Sequence, residues 1–253
     1  MWKMQLNYLG KRMPLILVLL LSIFSITVKA LPVFTASSEV ERLISRGIDA
    51  AGGEDALMQM QSISRYGSIT LYKGGIPERY NYHTALIYFK KLHEEIKGRN
   101  IVVDRGTDGN VFWFWTGSQY DYVNEEWLKD YMLETIERAN RDLLWLEKEY
   151  AHLQIITEQP DWVPINNQCI KGTKRKESEM RLYCFDSKTG LLSALGSNEE
   201  YRLVDDWRSV GNIKLPFRLQ HYREGKLSYT IQLNRAELNQ TMDDNEFNFP
   251  VSN

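Results

Sequence analysis

Residues 109–115 read GNVFWFW, and this stretch decides which fold the chain can adopt. Its last five residues, 111–115, all have large apolar side chains. Neighbouring side chains of a β-strand point to opposite faces, so Phe112 and Phe114 face one way while Val111, Trp113 and Trp115 face the other. Both faces of this strand must be kept from water. The second face is therefore covered either by more of the protein or by something that the protein carries.

The first thirty residues have the pattern of a cleavable secretory signal peptide. Residues 11–30 read KRMPLILVLLLSIFSITVKA, with a basic start, a long apolar run and a small residue at the end. The apolar run is short for a membrane span, which needs about 20 residues. We therefore predict export to the periplasm, with cleavage near Ala30. An uncleaved anchor is the alternative.

The mature chain, residues 31–253, is acidic. Residues 1–30 contain four Lys and Arg and no acid, so 31 basic residues less these four leaves 27 against 33 acidic residues, a net charge of about −6. This charge argues against nucleic acid as a partner. β-rich domains commonly reach this length undivided, so we predict a single domain over residues 31–253.

Cys169 and Cys184 are the two cysteines of the chain. They lie on apolar-alternating segments that flank the polar run GTKRKESE, and a hairpin centred near Lys176 and Glu177 would place them opposite each other. In an exported protein this arrangement favours a structural disulfide, with two free buried thiols as the alternative.

Periodicity predicts a fold that is mainly β. A helix capped by Ser37 ends at a Gly pair, a helical turn follows over 54–60, and strands joined by turns at 74–75, 98–100 and 108–109 come next. Strands resume after Pro160. We expect ten or eleven strands in one antiparallel sheet, and a sheet of this size normally curls.

A second helical region runs from Asn124 to about His152 and is unusually apolar. Its main apolar stripe is widened on one flank by Trp127, Tyr131 and Trp145. Further leucines lie almost opposite the centre of the stripe. Either the region breaks into two helices, or it is apolar on more of its circumference than one sheet face can cover.

The sequence contains none of the catalytic motifs that we considered. There is no HExxH, GxSxG, phosphate-binding loop or dinucleotide-binding glycine pattern, and the four histidines are scattered. We interpret His83 and His93 as ordinary polar-face residues of strands. We therefore predict no enzyme activity, no catalytic residue, no metal site and no cofactor.

Four separated segments carry a family likeness: AAGGEDALMQMQSI (50–63), DGNVFW (108–113), YCFDSKTGLL (183–192), and the end of the chain, DWRSVGNIKLPFRLQHY and LNQTMDDNEFNFP (206–250). Their order and spacing span nearly all of the mature chain. Together they resemble the outer-membrane lipoprotein-sorting proteins, the LolA/LolB-like group.

The resemblance implies a strongly curved antiparallel sheet, an incomplete β-barrel, whose concave side holds lipid acyl chains beneath a lid of helices. It also implies lipid or lipoprotein acyl chains as partners, with a donor complex at the inner membrane and an acceptor at the outer membrane. On this basis we expect a cavity lined by Val111, Trp113, Trp115, Trp127, Tyr131 and Trp145.

The leading hypothesis is a non-catalytic periplasmic carrier or holder of an acyl-bearing ligand in the bacterial cell envelope. The alternative is an envelope interaction module, in which the protein's own helices fill the cavity and a sheet face docks another protein. In that case Trp113 and Trp115 are plain core residues.

Overall fold

The computed structural model of the protein describes residues 37–174 and 180–250. The predicted signal peptide lies outside the described residues. The predicted tip of the cysteine hairpin, at Lys176 and Glu177, also lies outside them. Within the described part of the chain, no helix combines the length and apolar character needed to cross a bilayer.

The part of the chain that the structure describes contains four α-helices, and the first of them begins and ends where the sequence supplies a cap and a glycine. Ser37 caps the first helix by accepting a hydrogen bond from the backbone N–H of Val40, and Gly52 ends it with a φ of 127° that favours glycine. This confirms the predicted first helix. The helices are α1 (Ser38–Ala51), α2 (Glu54–Met58), α3 (Glu126–Arg138) and α4 (Leu146–Glu149).

Within residues 37–174 and 180–250, thirteen strands form one antiparallel sheet. They are β1 (Ser62–Lys73), β2 (Ile76–Ile87), β3 (Lys91–Lys97), β4 (Ile101–Thr107), β5 (Phe112–Trp115), β6 (Tyr120–Tyr122), β7 (Tyr150–Ile156), β8 (Asn167–Lys174), β9 (Met180–Asp186), β10 (Leu192–Gly196), β11 (Glu200–Val210), β12 (Ile213–Arg223) and β13 (Lys226–Leu238). The order across the sheet is β6-β5-β4-β3-β2-β1-β13-β12-β11-β10-β9-β8-β7. The sheet is open, with β6 and β7 at its edges. The predicted fold class, α+β and mainly β with one open antiparallel sheet, is confirmed.

The strand count exceeds the expected ten or eleven for identifiable reasons. A turn at 88–90 divides what looked like one strand into β2 and β3, and Phe89 takes a φ of 61° there without any Gly, Pro, Asn or Asp to mark it. The short edge strand β6 was not expected either. Residues 150–156, partly assigned to a helix, form β7.

The helical region 124–152 does break, which was one of the two alternatives. Helix α3 ends at Arg138, a 3-10 turn spans Asp142–Trp145, and α4 follows. Between them, Arg141 is only 2% exposed. Its Nε donates a 2.9 Å hydrogen bond to the carbonyl of Leu57 at the end of α2. Its guanidinium lies 3.7 Å over the ring of Tyr88. Arg141 thereby fastens this segment to α2 and to the start of the turn after β2.

The two faces of the sheet are covered by different parts of the chain. The inner face carries Tyr82, Leu86 and Leu92 and packs with α2 and α3 in the largest apolar cluster. The outer face carries His83, His93 and Trp113, and the C-terminal turn Asp244–Phe247 lies against it at Phe247 and Glu246. Strand alternation produces this division because paired residues of neighbouring strands share a face.

A disulfide joins Cys169 of β8 to Cys184 of β9. The two residues are direct partners in the strand register, and both are fully buried. The favoured alternative from the sequence is therefore confirmed, and the two thiols are not free.

Candidate functional site

A pocket of about 340 Å³ lies on the inner face, between the helices and the sheet. Residues of α1, of α3 and of the 3-10 turn bound it on one side. Residues from β1 to β3 and from β9 to β13 bound it on the other. Its volume is at the lower end of the range of about 300–1,000 Å³ typical of ligand pockets.

Part of the lining is apolar and comes from both layers. Helices and the following turn contribute small and aliphatic side chains, and the strands contribute aliphatic ones. These residues include Ala51, Leu143, Leu191, Val204, Leu219 and Ile231. Such a wall favours hydrocarbon because contact with it removes apolar surface from water.

Charged side chains complete the lining, so the pocket is not the wholly apolar cavity that the sequence led us to expect. Five basic residues line it, against three acidic ones. The basic residues are Arg65, Arg138, Arg181, Arg202 and Lys214, and the acidic residues are Glu94, Glu134 and Asp142. The excess of positive charge favours an anionic group on whatever enters.

Glu94, Arg105 and Tyr131 form a polar cluster at one side of the pocket. The Nε of Arg105 donates a 2.7 Å hydrogen bond to the carboxylate of Glu94, which is 9% exposed. The same guanidinium lies 4.3 Å over the ring of Tyr131. The negative charge of Glu94 and burial raise the pKa of Tyr131 to about 12, so its hydroxyl stays protonated at neutral pH.

Asp142 is a pocket residue whose carboxyl group has a raised pKa. Its carboxyl group is half-buried where the 3-10 turn meets the sheet, and the loss of water around it raises its pKa from 3.8 to about 6. The charge of Arg202 acts in the opposite direction and does not cancel the effect of burial. Asp142 is therefore a group whose charge changes slightly below neutral pH.

Of the six residues predicted to line a cavity, Tyr131 lies in the lining of this pocket; among the residues that the structure describes, the other five do not. Trp127 lies on α3 and is 68% exposed. Trp145 is half-buried in the 3-10 turn, with the ammonium group of Lys148 over its ring. Val111 is half-buried just before β5.

Trp113 and Trp115 belong to the outer face, which corrects the orientation expected for the GNVFWFW strand. Phe112 and Phe114 point to the inner face, where they pack against the main apolar cluster. Trp113 is 1% exposed, and its indole N–H donates a 3.0 Å hydrogen bond to the carbonyl of Phe247. The physical reason is that the C-terminal turn folds over this face. The alternation of β5 was predicted correctly, but nothing in the strand says which of its faces the helices cover.

Gly106 makes room for the buried indole. It is paired with Trp113 across β4 and β5, and a Cβ at Gly106 would lie 2.6 Å from the indole ring. A larger residue at this position would therefore displace Trp113 and the C-terminal turn with it.

The charged pocket residues were missed at the sequence level. Arg202 and Val204 are two residues apart in β11, so their side chains share one face of the sheet, and both line the pocket. That signal was available, but an arginine in alternation with apolar residues normally marks the solvent face. Only the helices placed over this face make Arg202 a pocket residue.

No protein-family model matches the sequence, and neither does any curated protein. Solved structures do match. A DUF1329 family protein from Desulfovibrio piger has a TM-score of 0.57 at 12% identity, over 84% of this chain and 98% of its own. A LolA superfamily protein from Nitrosomonas europaea has a TM-score of 0.53 at 12% identity, over 83% of this chain and 97% of its own.

A third structure, of a putative outer membrane lipoprotein-sorting protein domain from Vibrio parahaemolyticus, has a TM-score of 0.53 at 5% identity, over 82% of this chain and 94% of its own. These identities are too low to carry a function across. They show that the chain has the fold of LolA superfamily proteins, and they confirm the resemblance at that level.

Proposed function

We propose that the protein is a non-catalytic carrier or holder of an acyl-bearing ligand, a lipid or a lipoprotein, in the periplasm. The observation that carries the proposal is the pocket between helices and sheet, with an apolar wall and an excess of basic side chains. The fold of LolA superfamily proteins supports it. The predicted signal peptide, with cleavage near Ala30, and a single domain over residues 31–253 belong to the same proposal.

The two kinds of lining residue suit the two ends of such a ligand. Burying hydrocarbon contributes about 0.8 kcal/mol per CH₂ group, so ten buried groups would contribute about 8 kcal/mol before the costs of association. The basic side chains would hold a phosphate or carboxylate through charge-assisted hydrogen bonds. The small volume suits one chain rather than several.

Helix α3 is the element that we propose as the lid. Tyr131, Glu134, Thr135 and Arg138 of α3 line the pocket, so its displacement would expose the interior. We propose that it opens at a donor, releases the ligand to an acceptor and closes in between. A donor complex at the inner membrane and an acceptor at the outer membrane are the partners that this cycle requires.

The test is direct. The protein is purified from the periplasm and extracted for mass spectrometry, and uptake of a fluorescent fatty acid is measured in solution. We expect extracted lipid and saturable uptake. The proposal would be contradicted if the folded protein yielded no extracted lipid and also took up no fatty acid.

A pair of tryptophan substitutions locates the binding site. Leu219→Trp on β12 fills the pocket, since Leu219 lines it. Gln220→Trp is the matched control, because the next residue of the same strand points to the opposite face. We expect Leu219→Trp to lower uptake at least tenfold and Gln220→Trp to leave it unchanged. Equal uptake by both variants would place the ligand elsewhere.

A second candidate function is an envelope interaction module. It is favoured by exposed apolar side chains on α3, where Trp127 is 68% and Leu133 46% exposed. Such side chains on one helix are typical of a surface that binds another protein. Under this hypothesis the wild-type protein takes up no fatty acid, and Trp127→Ala with Leu133→Ala abolishes binding to a partner captured from the envelope.

A further inference from the structure

Two histidines and a glutamate meet on the outer face, away from the pocket. His83 lies on β2, His93 on β3, and Glu246 in the C-terminal turn Asp244–Phe247. The Nε2 of His83 is 3.5 Å from Oε1 of Glu246, and the Nδ1 of His93 is 3.6 Å from the same oxygen. One potential ligand atom from each residue lies within 4.8 Å of the other two.

The two imidazole nitrogens that face Glu246 lack hydrogen-bond partners. The Nε2 of His83 and the Nδ1 of His93 are both buried, and neither makes a hydrogen bond within the described ranges 37–174 and 180–250. Their distances to Glu246 permit an attraction between charges but exceed the usual 2.7–3.2 Å of an N–H···O hydrogen bond. Buried polar atoms almost always have a partner, so two such atoms aimed at one carboxylate require an explanation.

The spacing is that of ligands around a tetrahedral metal ion. Zinc binds imidazole nitrogen at about 2.0–2.1 Å and carboxylate oxygen at about 2.0–2.2 Å, which sets neighbouring ligand atoms about 3.4 Å apart. The two nitrogen-to-oxygen distances of 3.5 and 3.6 Å are close to this value. They are too long for hydrogen bonds and suited to an ion placed between the three atoms.

His93 is held in the orientation that metal ligation needs. Its other ring nitrogen, Nε2, lies 2.9 Å from Oδ1 of Asp104, and the hydroxyl of Tyr120 donates to Oδ2 of the same carboxylate at 2.5 Å. Metal-binding histidines typically donate their second N–H to a carboxylate in this way, which leaves the facing nitrogen with a free lone pair. Here that nitrogen is the Nδ1 that faces Glu246.

His83 is held by stacking and not by a carboxylate. Its ring packs on that of Tyr66 at a centroid distance of 4.5 Å with an interplanar angle of 11°. The side chains of His83, His93 and Glu246 are 23%, 16% and 25% exposed. The cluster is therefore fixed by protein on its inner side and reachable by water on the other.

We propose that His83, His93 and Glu246 bind a divalent transition-metal ion of the zinc type, with water as the fourth ligand. Two neutral imidazoles and a carboxylate suit this class of ion, whereas Mg²⁺ and Ca²⁺ prefer sites made only of oxygen. Because Glu246 comes from the C-terminal turn and the histidines from β2 and β3, the ion joins the end of the chain to the sheet. The sequence does not reveal this site, because Glu246 follows His83 by 163 positions in the chain.

Titration of the purified metal-free protein with Co²⁺, followed by its visible absorption, tests the proposal. Tetrahedral Co²⁺ absorbs far more strongly than hydrated Co²⁺, so the spectrum reports geometry as well as binding. We expect one equivalent bound with a tetrahedral spectrum, displaced by Zn²⁺. His83→Ala, His93→Ala and Glu246→Gln should each weaken binding at least a hundredfold, and Asp104→Asn about 10- to 100-fold.

His152→Ala is the matched control, because His152 is an exposed histidine of β7 at the opposite edge of the sheet. It should bind Co²⁺ as the wild type does. Far-UV circular dichroism checks that each variant is folded. Glu246→Gln keeps the size of a side chain on a surface turn, so it decides the question even if a histidine variant unfolds. An octahedral spectrum, no binding, or unchanged binding by Glu246→Gln would overturn the proposal.

Discussion

At the scale of single residues, Trp113 connects the sheet to the end of the chain. It is fully enclosed, and its indole N–H satisfies the carbonyl of Phe247. Trp113→Phe removes this hydrogen bond and part of the packed volume, and it leaves a buried carbonyl without a partner. We expect the free energy of unfolding to fall by about 1–3 kcal/mol, measured by urea denaturation.

Trp115→Phe is the control for that substitution. Trp115 is half-buried on the same strand and the same face. Trp115→Phe should lower the free energy of unfolding by less than about 1 kcal/mol. Equal costs for the two variants would mean that the contact with Phe247 contributes nothing. Because both tryptophans lie on the outer face, neither variant should change fatty-acid uptake.

Asp142 predicts a dependence of stability on pH. Its pKa is about 6 in the folded protein, against 3.8 for an ordinary aspartate. Between these values the folded state holds a proton that the unfolded state has lost, so stability falls as the pH rises from about 4 to 6. Asp142→Asn removes this loss. It should be more stable than the wild type at pH 7 by about 1 kcal/mol, a figure reduced for the partial exposure of the group.

The comparison is made by urea denaturation at pH 4 and pH 7. At pH 4 the difference between Asp142→Asn and the wild type should largely disappear. Asp161→Asn, on an exposed turn, is the control and should change stability little at either pH. A difference for Asp142→Asn that is the same at both pH values would show that the carboxyl group does not titrate in this range.

At the scale of elements, the disulfide of the β8–β9 hairpin lies beside the edge strand β7. The cross-link closes a loop over 15 positions of sequence, which limits the unfolded chain. Cys169→Ala with Cys184→Ala should lower the free energy of unfolding by about 2–4 kcal/mol. The measurement is urea denaturation with and without a thiol reductant.

The reductant supplies the control. It should destabilise the wild type toward the double variant and leave the double variant unchanged. A wild type that is equally stable in both conditions would contradict a structural role for the cross-link. Helix α1 gives a second reference: it contacts β7 near this end of the sheet, so its amide hydrogens should exchange faster in the double variant than in the wild type.

The sequence predicted most elements but not the ones marked by weak signals. Ser37 and the Gly pair at 52–53 bounded α1, and the cysteine spacing predicted the β8–β9 pairing. The turn at Phe89, where φ is positive, was missed because its partner is distant in sequence: the N–H of Phe89 donates a 3.3 Å hydrogen bond to the carbonyl of Ile136 in α3. The predicted second helical region extended too far, to about His152, for a related reason. Residues 150–156 form β7 and pair with β8, and this pairing outweighs their helical pattern.

At the scale of the whole molecule, the sequence could not predict which face of the sheet the helices cover. Alternation gives two sets of residues for β5 but does not say which set the helices cover. That depends on where the C-terminal turn lies, and it lies over Trp113. The pocket therefore contains Tyr131 and the charged residues of β11 and α3, and not the tryptophans of β5.

The arrangement of helices on one face predicts how the molecule opens. Helix α3 buries only Leu128, Met132 and Ile136, whereas α1 buries five residues against the same sheet. The central strands β1 and β13 are paired on both sides. Amide hydrogen exchange followed by mass spectrometry should therefore show α3 exchanging at least tenfold faster than α1, β1 and β13, because local opening requires the loss of fewer buried contacts.

Fatty acid should slow the exchange of α3, since a ligand in the pocket contacts α3 and favours its closed position. In Leu219→Trp the ligand should have no such effect, and in Gln220→Trp it should act as in the wild type. If α3 instead exchanges as slowly as the central strands, it opens only when the whole protein unfolds. A lid that cannot open alone cannot load or release a ligand from a folded carrier, so this outcome would exclude α3 as the gate.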